Sequence, residues 1–168
     1  DQDSCMKKIF ATENMIREKL GQLVYGEEDD EVEDAAGAAL IAASASLATI
    51  EAGTAGRVAA LFAQAADRRQ IGTASFFRGG LVLPELSLEK PNLIDAAKGV
   101  AKSHNASVGM AIGPVRPIGT RQAVDVIVVK DDSVIATEHI LGGGGIAMSR
   151  AAKSAIDQVR QMLLEGKS

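Results

Sequence analysis

The chain has 168 residues, with 28 alanines and 17 glycines but only one tyrosine, four phenylalanines and no tryptophan. This length suits one domain with a short appendage, and a hydrophobic fraction of 46% places the chain among globular rather than disordered proteins. A net charge of −4 and so few aromatic side chains argue against nucleic-acid binding, which depends on clustered lysine and arginine and on base stacking.

The cysteine content and the hydropathy pattern bear on location. Cys5 is the one cysteine, so no internal disulfide can form and a reducing compartment is the simplest interpretation. The longest uncharged run, residues 35–50, is short and weakly apolar for a membrane span, and no signal peptide opens the chain. We therefore expect a cytoplasmic protein without a membrane partner. Because the sequence opens on Asp1, we also expect it to belong to a longer protein.

The first part of the chain combines a helical pattern with an acidic run. Apolar residues at helical spacing, from Met6 to Val24, predict an amphipathic helix over 4–24. The stretch 26–34 carries seven acidic residues and no basic one, which is typical of a solvated linker that leads into a helix rather than of a metal site. We predict an N-terminal helix and acidic linker at 1–29 and a main domain at 30–168, with the acidic run outside the core.

Helical and strand-like segments alternate in the main domain. Helices are predicted at 30–43, 54–67 and 91–100, and again from about residue 146, after the four glycines 142–145. Strands are predicted at 46–51, 74–83, 106–112, 123–129 and 133–141, and 113–119 is predicted as a loop. Strands linked by helices pair in parallel, whereas the tight turn at 130–132 requires one antiparallel pair. The sequence therefore predicts an α/β fold, a three-layer α/β/α sandwich with a mixed five-stranded sheet, preceded by an N-terminal helix.

Three segments of this fold end at the edge of the sheet where ligands usually bind. They are the turn 51–57, the loop 113–119 and the tetraglycine, and we expect them to form one cleft in which Arg57 and Arg116 bind an anion such as a nucleotide phosphate. The candidate ligand-binding residues are Glu51, Gly53, Thr54, Gly56, Arg57, Gly113 and Arg116. Neither glycine segment matches a dinucleotide or Walker motif, so these glycines alternatively serve only tight turns and close packing.

Candidate catalytic groups are sparse. Thr54 is the one hydroxyl in a predicted pocket turn, and it is a weak catalytic candidate because it alternatively caps the helix that follows. We expect His104 and His139 to be surface or hydrogen-bonded polar residues rather than bases. No cluster has metal-ligand spacing, so we predict neither a metal nor a cofactor.

Several segments, in order, resemble the C-terminal domain of the competence/damage-inducible CinA family, which includes nicotinamide mononucleotide deamidases. The run SLATIEAGTAG at 46–56 is similar to a family strand that ends in E-S-C-T-G-G, and FRGGLV at 77–82 is similar to F-x-G-G-V-V. GMAIGP at 109–114 resembles the family's T-G-I-A-G-P, and 151–157 resembles its final helix. Residues 16–30 resemble the junction before this domain in multidomain members, so the resemblance implies that 1–29 is a remnant of an upstream domain.

The departures from the family motif fall on its chemistry. Ala52 stands where the nucleophilic serine would lie, Gly53 replaces the cysteine and Ala55 replaces a glycine. The resemblance therefore implies a nicotinamide-nucleotide amidase fold that is catalytically degenerate and acts in ligand binding or assembly, as a homo-oligomer with a mononucleotide as candidate ligand. One alternative is an active amidohydrolase that converts nicotinamide mononucleotide to nicotinic acid mononucleotide and ammonia through Thr54 or an activated water. The other is a purely structural oligomerisation domain.

Overall fold

The computed structural model describes residues 2–21, 31–84, 90–142 and 146–165. The chain divides into two compact units, residues 1–30 and residues 31–168. The first unit contains helix α1, Gln2–Leu20, in which Glu13 and Arg17 form an ion pair at 3.0 Å one turn apart. The predicted helix begins two residues earlier than expected, and its predicted end at 22–24 lies outside the described residues.

The second unit alternates helices and strands. Its helices are α2 Val32–Ala42, α3 Arg57–Arg68, α4 Lys90–Ser103 and α5 Ala147–Glu165. Its strands are β1 Leu47–Glu51, β2 Phe77–Val82, β3 Val108–Ile112, β4 Arg116–Ile118, β5 Arg121–Lys130 and β6 Ser133–Leu141. The predicted α/β class is confirmed.

The sheet is mixed, as predicted, but it has six strands rather than five. Strands β2, β1 and β3 are parallel, and β5 runs antiparallel between β3 and β6. The additional strand β4 pairs with the start of β5 and continues the line of β3 after an irregularity at 113–115. The prediction of 113–119 as an uninterrupted loop was therefore wrong: the two prolines suggested a loop, yet Pro117 pairs opposite Gln122 because an edge position tolerates a residue without an N–H.

Two further elements begin three residues later than predicted. Residues 73–75 form a short 3₁₀ turn, so β2 begins at Phe77 rather than at residue 74. Helix α3 begins at Arg57 rather than at residue 54, because residues 53–56 form a turn in which Ala55 and Gly56 both have positive φ. The alanines and glycines of this segment give no hydrophobic periodicity that would separate the turn from the helix after it.

Two hydrophobic clusters, one on each face of the sheet, give the fold its three layers. Helices α2, α3 and α5 pack on one face, where Leu40, Phe62 and Ile156 are fully buried with Val126 of β5. Helix α4 packs on the other face through Leu93 and its neighbours. The contact between α4 and β3 is close, because a Cβ at Gly109 would lie 2.0 Å from the carbonyl oxygen of Ala97. None of the described helices is long and apolar enough to cross a membrane.

The end of the acidic run is buried, contrary to the prediction of a solvated linker. Glu33 and Asp34 are only 2% and 3% exposed. Asp34 receives three hydrogen bonds from Arg68, the shortest at 2.7 Å, and Glu33 lies 3.3 Å from the same guanidinium. Lys153 of α5 contacts Glu31 and lies 3.9 Å from Glu33. The sequence could not show this because the basic partners come from α3 and α5.

The charge of Asp34 is stabilised within this cluster. Burial by itself raises the pKa of Asp34, but the hydrogen bonds from Arg68 and from the backbone N–H of Glu31 lower it more, so that the pKa lies below the ordinary value of 3.8. Asp34 and Glu31 also form a capping box at the start of α2. The cluster therefore fixes the N-terminus of α2 against α3.

Candidate functional site

The carboxyl ends of three parallel strands meet at one edge of the sheet. Glu51, the last residue of β1, is in register with Val82 of β2 and Ile112 of β3. The turn after β1 and the segment after β3 therefore leave the sheet side by side, as the sequence predicted. The backbone N–H of Ala52 donates to the carbonyl of Ile112 at 2.9 Å and joins the two segments.

Glu51 is the centre of a buried hydrogen-bond network at this edge. Its carboxylate is 1% exposed and accepts the Thr54 hydroxyl at 2.5 Å and the Thr49 hydroxyl at 3.3 Å. It also accepts the backbone N–H groups of Val58 and Ala59, at 3.3 and 3.4 Å. Glu51 thus caps the first turn of α3 with a negative charge at the positive end of the helix dipole.

This network commits the candidate catalytic hydroxyl to a structural role. Thr54 is fully buried, and its hydroxyl proton is donated to Glu51. The N–H groups of Val58 and Ala59, which an anion at this helix N-terminus would use, also bind Glu51. Thr49 was not predicted as a member of this network, although its position two residues before Glu51, on the same face of β1, is a signal for it.

Gly53 lies against the segment that follows β3. A Cβ at Gly53 would lie 2.4 Å from the carbonyl oxygen of Gly113 and 3.1 Å from the backbone nitrogen of Val115. Gly56 has a φ of +81° and precedes the first residue of α3. Close packing and a tight turn therefore account for both glycines, and the structure brings Gly53 and Gly113 together as the sequence predicted.

Ala55 occupies a backbone conformation that favours glycine. Its φ is +51° and its side chain is exposed. We expect Ala55→Gly to raise the free energy of unfolding by about 1 kcal/mol, because the left-handed conformation costs an alanine roughly 1–2 kcal/mol and the added chain entropy offsets part of the gain. Denaturant unfolding measures the change. Gly56→Ala, which introduces the same strain at the next residue, is the matched control and should destabilise; a loss of stability in Ala55→Gly would contradict the prediction.

The two candidate cations lie in different surroundings. Arg57 is exposed, and its Nη1 contacts the carbonyl oxygen of Thr54 at 3.2 Å and the sulfur of Met148 at 3.4 Å, so the turn does reach the first part of α5. Arg116 donates to Asp125 at 2.8 Å and to Glu138 at 2.5 Å. The hydrogen bond with Glu138 raises the pKa of Arg116 above its ordinary value. The charge of Arg116 is therefore compensated by two carboxylates.

The second motif, FRGG, has a packing role beside the network. Gly79 has a φ of +116° at an irregularity between β1 and β2, and a Cβ there would lie 3.3 Å from the His104 ring. A Cβ at Gly80 would lie 2.3 Å from the Thr49 hydroxyl oxygen. Gly80 thus allows β2 to approach β1, the strand that carries Glu51, whereas Gly79 allows β2 to approach His104, which follows α4.

The remaining candidates lie elsewhere. His104 Nδ1 lies 2.9 Å from the Ser103 hydroxyl, and His139 Nε2 lies 2.9 Å from the amide oxygen of Gln158. Of the predicted tetraglycine, residues 143–145 lie outside the described residues, while Gly142 lies beneath the Arg150 guanidinium. Among the residues that the structure describes, no group of three or more histidines, cysteines or carboxylates is placed to hold a metal ion.

Comparisons with known proteins identify proteins that share this fold. No protein-family model matches the sequence. A CinA-like protein from Kosmotoga olearia is 27% identical over 93% of this chain. A CinA superfamily structure from Klebsiella pneumoniae superposes with a TM-score of 0.61 at 19% identity, covering 80% of this chain and 96% of that one. The resemblance to the CinA family is confirmed.

The CinA-like relatives differ in how much of their own length this chain covers. The CinA superfamily structure from Enterobacter cloacae also superposes with a TM-score of 0.61, at 18% identity, and covers 86% of this chain and 97% of that one. The Kosmotoga CinA-like protein is longer, and this chain spans only 43% of it. The solved structures therefore share the fold of this chain, whereas the longer relative has additional sequence.

Proposed function

We propose that this CinA-like domain is catalytically silent and that its function is assembly. The observation that supports this most directly is the state of the hydroxyls at the end of β1: Ala52 has none at the position of the family's nucleophile, and the Thr54 hydroxyl is buried and bonded to Glu51. Deamidation of a nucleotide amide requires a nucleophile that can reach the carbonyl carbon. Neither residue meets that requirement.

The electrostatics of the turn argue against a phosphate there. The buried Glu51 carboxylate occupies the N-terminus of α3 and repels a second anion. Arg116, the cation expected across the cleft, is paired with Asp125 and Glu138. A ligand at this edge would have to displace interactions within the domain, so the contacts favour the assembly role over ligand binding.

The test is ammonia release from nicotinamide mononucleotide by the full chain, beside a CinA-family deamidase that keeps the serine. We expect no ammonia above the blank from the wild type, from Thr54→Ser or from Thr54→Val. Turnover by the wild type would overturn the proposal. Loss of that turnover in Thr54→Val, which replaces only the hydroxyl by a methyl group, with retention in Thr54→Ser would assign it to Thr54, whereas turnover by all three proteins would assign it to an activated water.

A mononucleotide ligand is the second candidate, and the position of Arg57 favours it. Arg57 is exposed at the sheet edge and pairs with no carboxylate among the described residues. A single arginine would bind a phosphate only weakly, with a dissociation constant on the order of a millimolar. Calorimetric binding of nicotinamide mononucleotide that is lost in Arg57→Ala and kept in Arg121→Ala would favour this role over assembly.

A further inference from the structure

Strand β6 is a long and regular sheet edge. Its nine residues pair with β5 without an irregularity, and within the described part of the chain β5 is the one strand it pairs with. Sheet edges are normally protected against other chains by proline, lysine, bulges or a short strand. β6, with the sequence SVIATEHIL, has none of these features. Its one acidic residue, Glu138, is paired with Arg116.

Both faces of β6 are open next to this edge. One face of the sheet is covered by α4, but α4 does not cover that face at β6. There Val134 and Ile140, both large and apolar, are 40% and 48% exposed. On the opposite face, two hollows of about 330 and 390 Å³ lie between β6 and α5 and share Ser154, so that a groove follows the strand. An added strand would extend the sheet and enter this groove.

We propose that β6 pairs antiparallel with β6 of a second copy of this chain, with Thr137 on the two-fold axis. The proposal deepens the assembly role and rests on it. In this register Val134 of each copy lies opposite Ile140 of the other, and the two Thr137 side chains face each other. β-branched and threonine pairs of this kind stabilise antiparallel strands. An axis at Glu138 would instead place two like charges opposite each other, whereas Thr137 is the midpoint of β6, so an axis there pairs all nine residues.

The charges on α5 are complementary in the same arrangement. Arg150 lies beside the end of β6 at Ile140–Gly142, whereas Glu165 lies beside Ile135 and Thr137, because α5 runs antiparallel to β6. A two-fold axis through Thr137 therefore brings Arg150 of one copy towards Glu165 of the other, twice. Neither side chain forms an ion pair with another described residue, so both are available for this contact.

The first experiment measures the association of the full chain by sedimentation velocity at several concentrations. We expect a dimer in the wild type and a dissociation constant raised about tenfold or more in Ile140→Lys, because a charge replaces an apolar cross-strand contact at two positions of the dimer. Ile118→Lys is the matched control, since Ile118 is an exposed isoleucine on β4, and it should leave the constant unchanged. A monomeric wild type, or equal effects of the two variants, would overturn the proposal.

The second experiment tests the register. In a Cys5→Ser background, Thr137→Cys should form a disulfide-linked dimer under mild oxidation, because opposed residues across antiparallel strands have Cα atoms about 4.5–5.5 Å apart, within the range that a disulfide spans. Ser133→Cys lies at the strand end, far from its own copy across the axis, and should not. Equal cross-linking at both positions, or none at Thr137→Cys, would refute the register.

A charge reversal tests the α5 contact. Arg150→Glu and Glu165→Arg should each weaken the dimer, and the double variant should restore it, which a merely structural effect of either substitution would not do. Failure of the double variant to restore association would remove α5 from the interface. These outcomes are separate from the ammonia assay. Turnover together with a Thr137→Cys cross-link would overturn catalytic silence and support the β6 dimer. Absence of both turnover and the cross-link would support catalytic silence and overturn the β6 dimer.

Discussion

Replacing Glu51 by alanine is expected to lower the free energy of unfolding by roughly 3–5 kcal/mol, because several buried donors lose their acceptor at once. The hydroxyls of Thr49 and Thr54 and the N–H groups of Val58 and Ala59 all donate to this carboxylate. Each of these donors is buried or half-buried, so it would lose its hydrogen bond without direct contact with bulk water. Denaturant unfolding of the full chain measures the loss.

Two variants make the Glu51 result specific. Glu51→Gln keeps the size of the side chain but offers one acceptor oxygen and places an NH₂ group against existing donors, so we expect a loss of at least about 2 kcal/mol. Asp67→Ala removes an exposed carboxylate from the last turn of α3 and should change stability by less than about 0.5 kcal/mol. A Glu51→Ala variant as stable as Asp67→Ala would show that the network does not hold the turn.

The fold was accessible from the sequence because its main signals are local. The buried run of β3 and the hairpin between β5 and β6 each carry a pattern that a short window of residues reveals. The sixth strand was missed because β4 depends on pairing with β5, which overrides the loop preference of Pro117. The burial of Glu33 was missed for the same reason, since Arg68 lies 35 residues away in the sequence.

The functional site could be predicted less completely than the fold, because residue types do not show which side chains are exposed to a ligand. Glu51 and Thr54 were predicted as ligand-binding residues, and their neighbours in the turn were placed correctly at the sheet edge. Whether a hydroxyl faces a ligand or a buried carboxylate depends on side-chain direction, which the sequence does not state. The alternative in which Thr54 caps the helix that follows was also wrong, because its hydroxyl donates to Glu51 and it is the Glu51 carboxylate that accepts N–H groups of the first turn.

The second large effect is expected at Gly53, where the CinA-family motif has cysteine. Gly53→Cys should destabilise the domain by about 3 kcal/mol or more, because its Cβ would lie 2.4 Å from the carbonyl oxygen of Gly113 and backbone atoms cannot rotate away. Gly53→Ala adds the same Cβ and should lose a similar amount. Gly72→Cys is the matched control: a Cβ at Gly72 meets nothing within 4 Å, so its stability should stay within about 0.5 kcal/mol of the wild type.

This expectation extends to any attempt to rebuild the family motif in this chain. Ala52→Ser adds one hydroxyl at a half-buried position, and Ala55→Gly relieves strain, so each single variant should fold. Adding Gly53→Cys to both should lower the free energy of unfolding by more than Ala55→Gly raises it, because a gain of about 1 kcal/mol cannot offset the contact with Gly113. Unfolding curves of the single and triple variants decide the matter. A triple variant as stable as the wild type would mean that the segment after β3 moves freely, and that loss of the nucleophile left the turn able to accept the family residues.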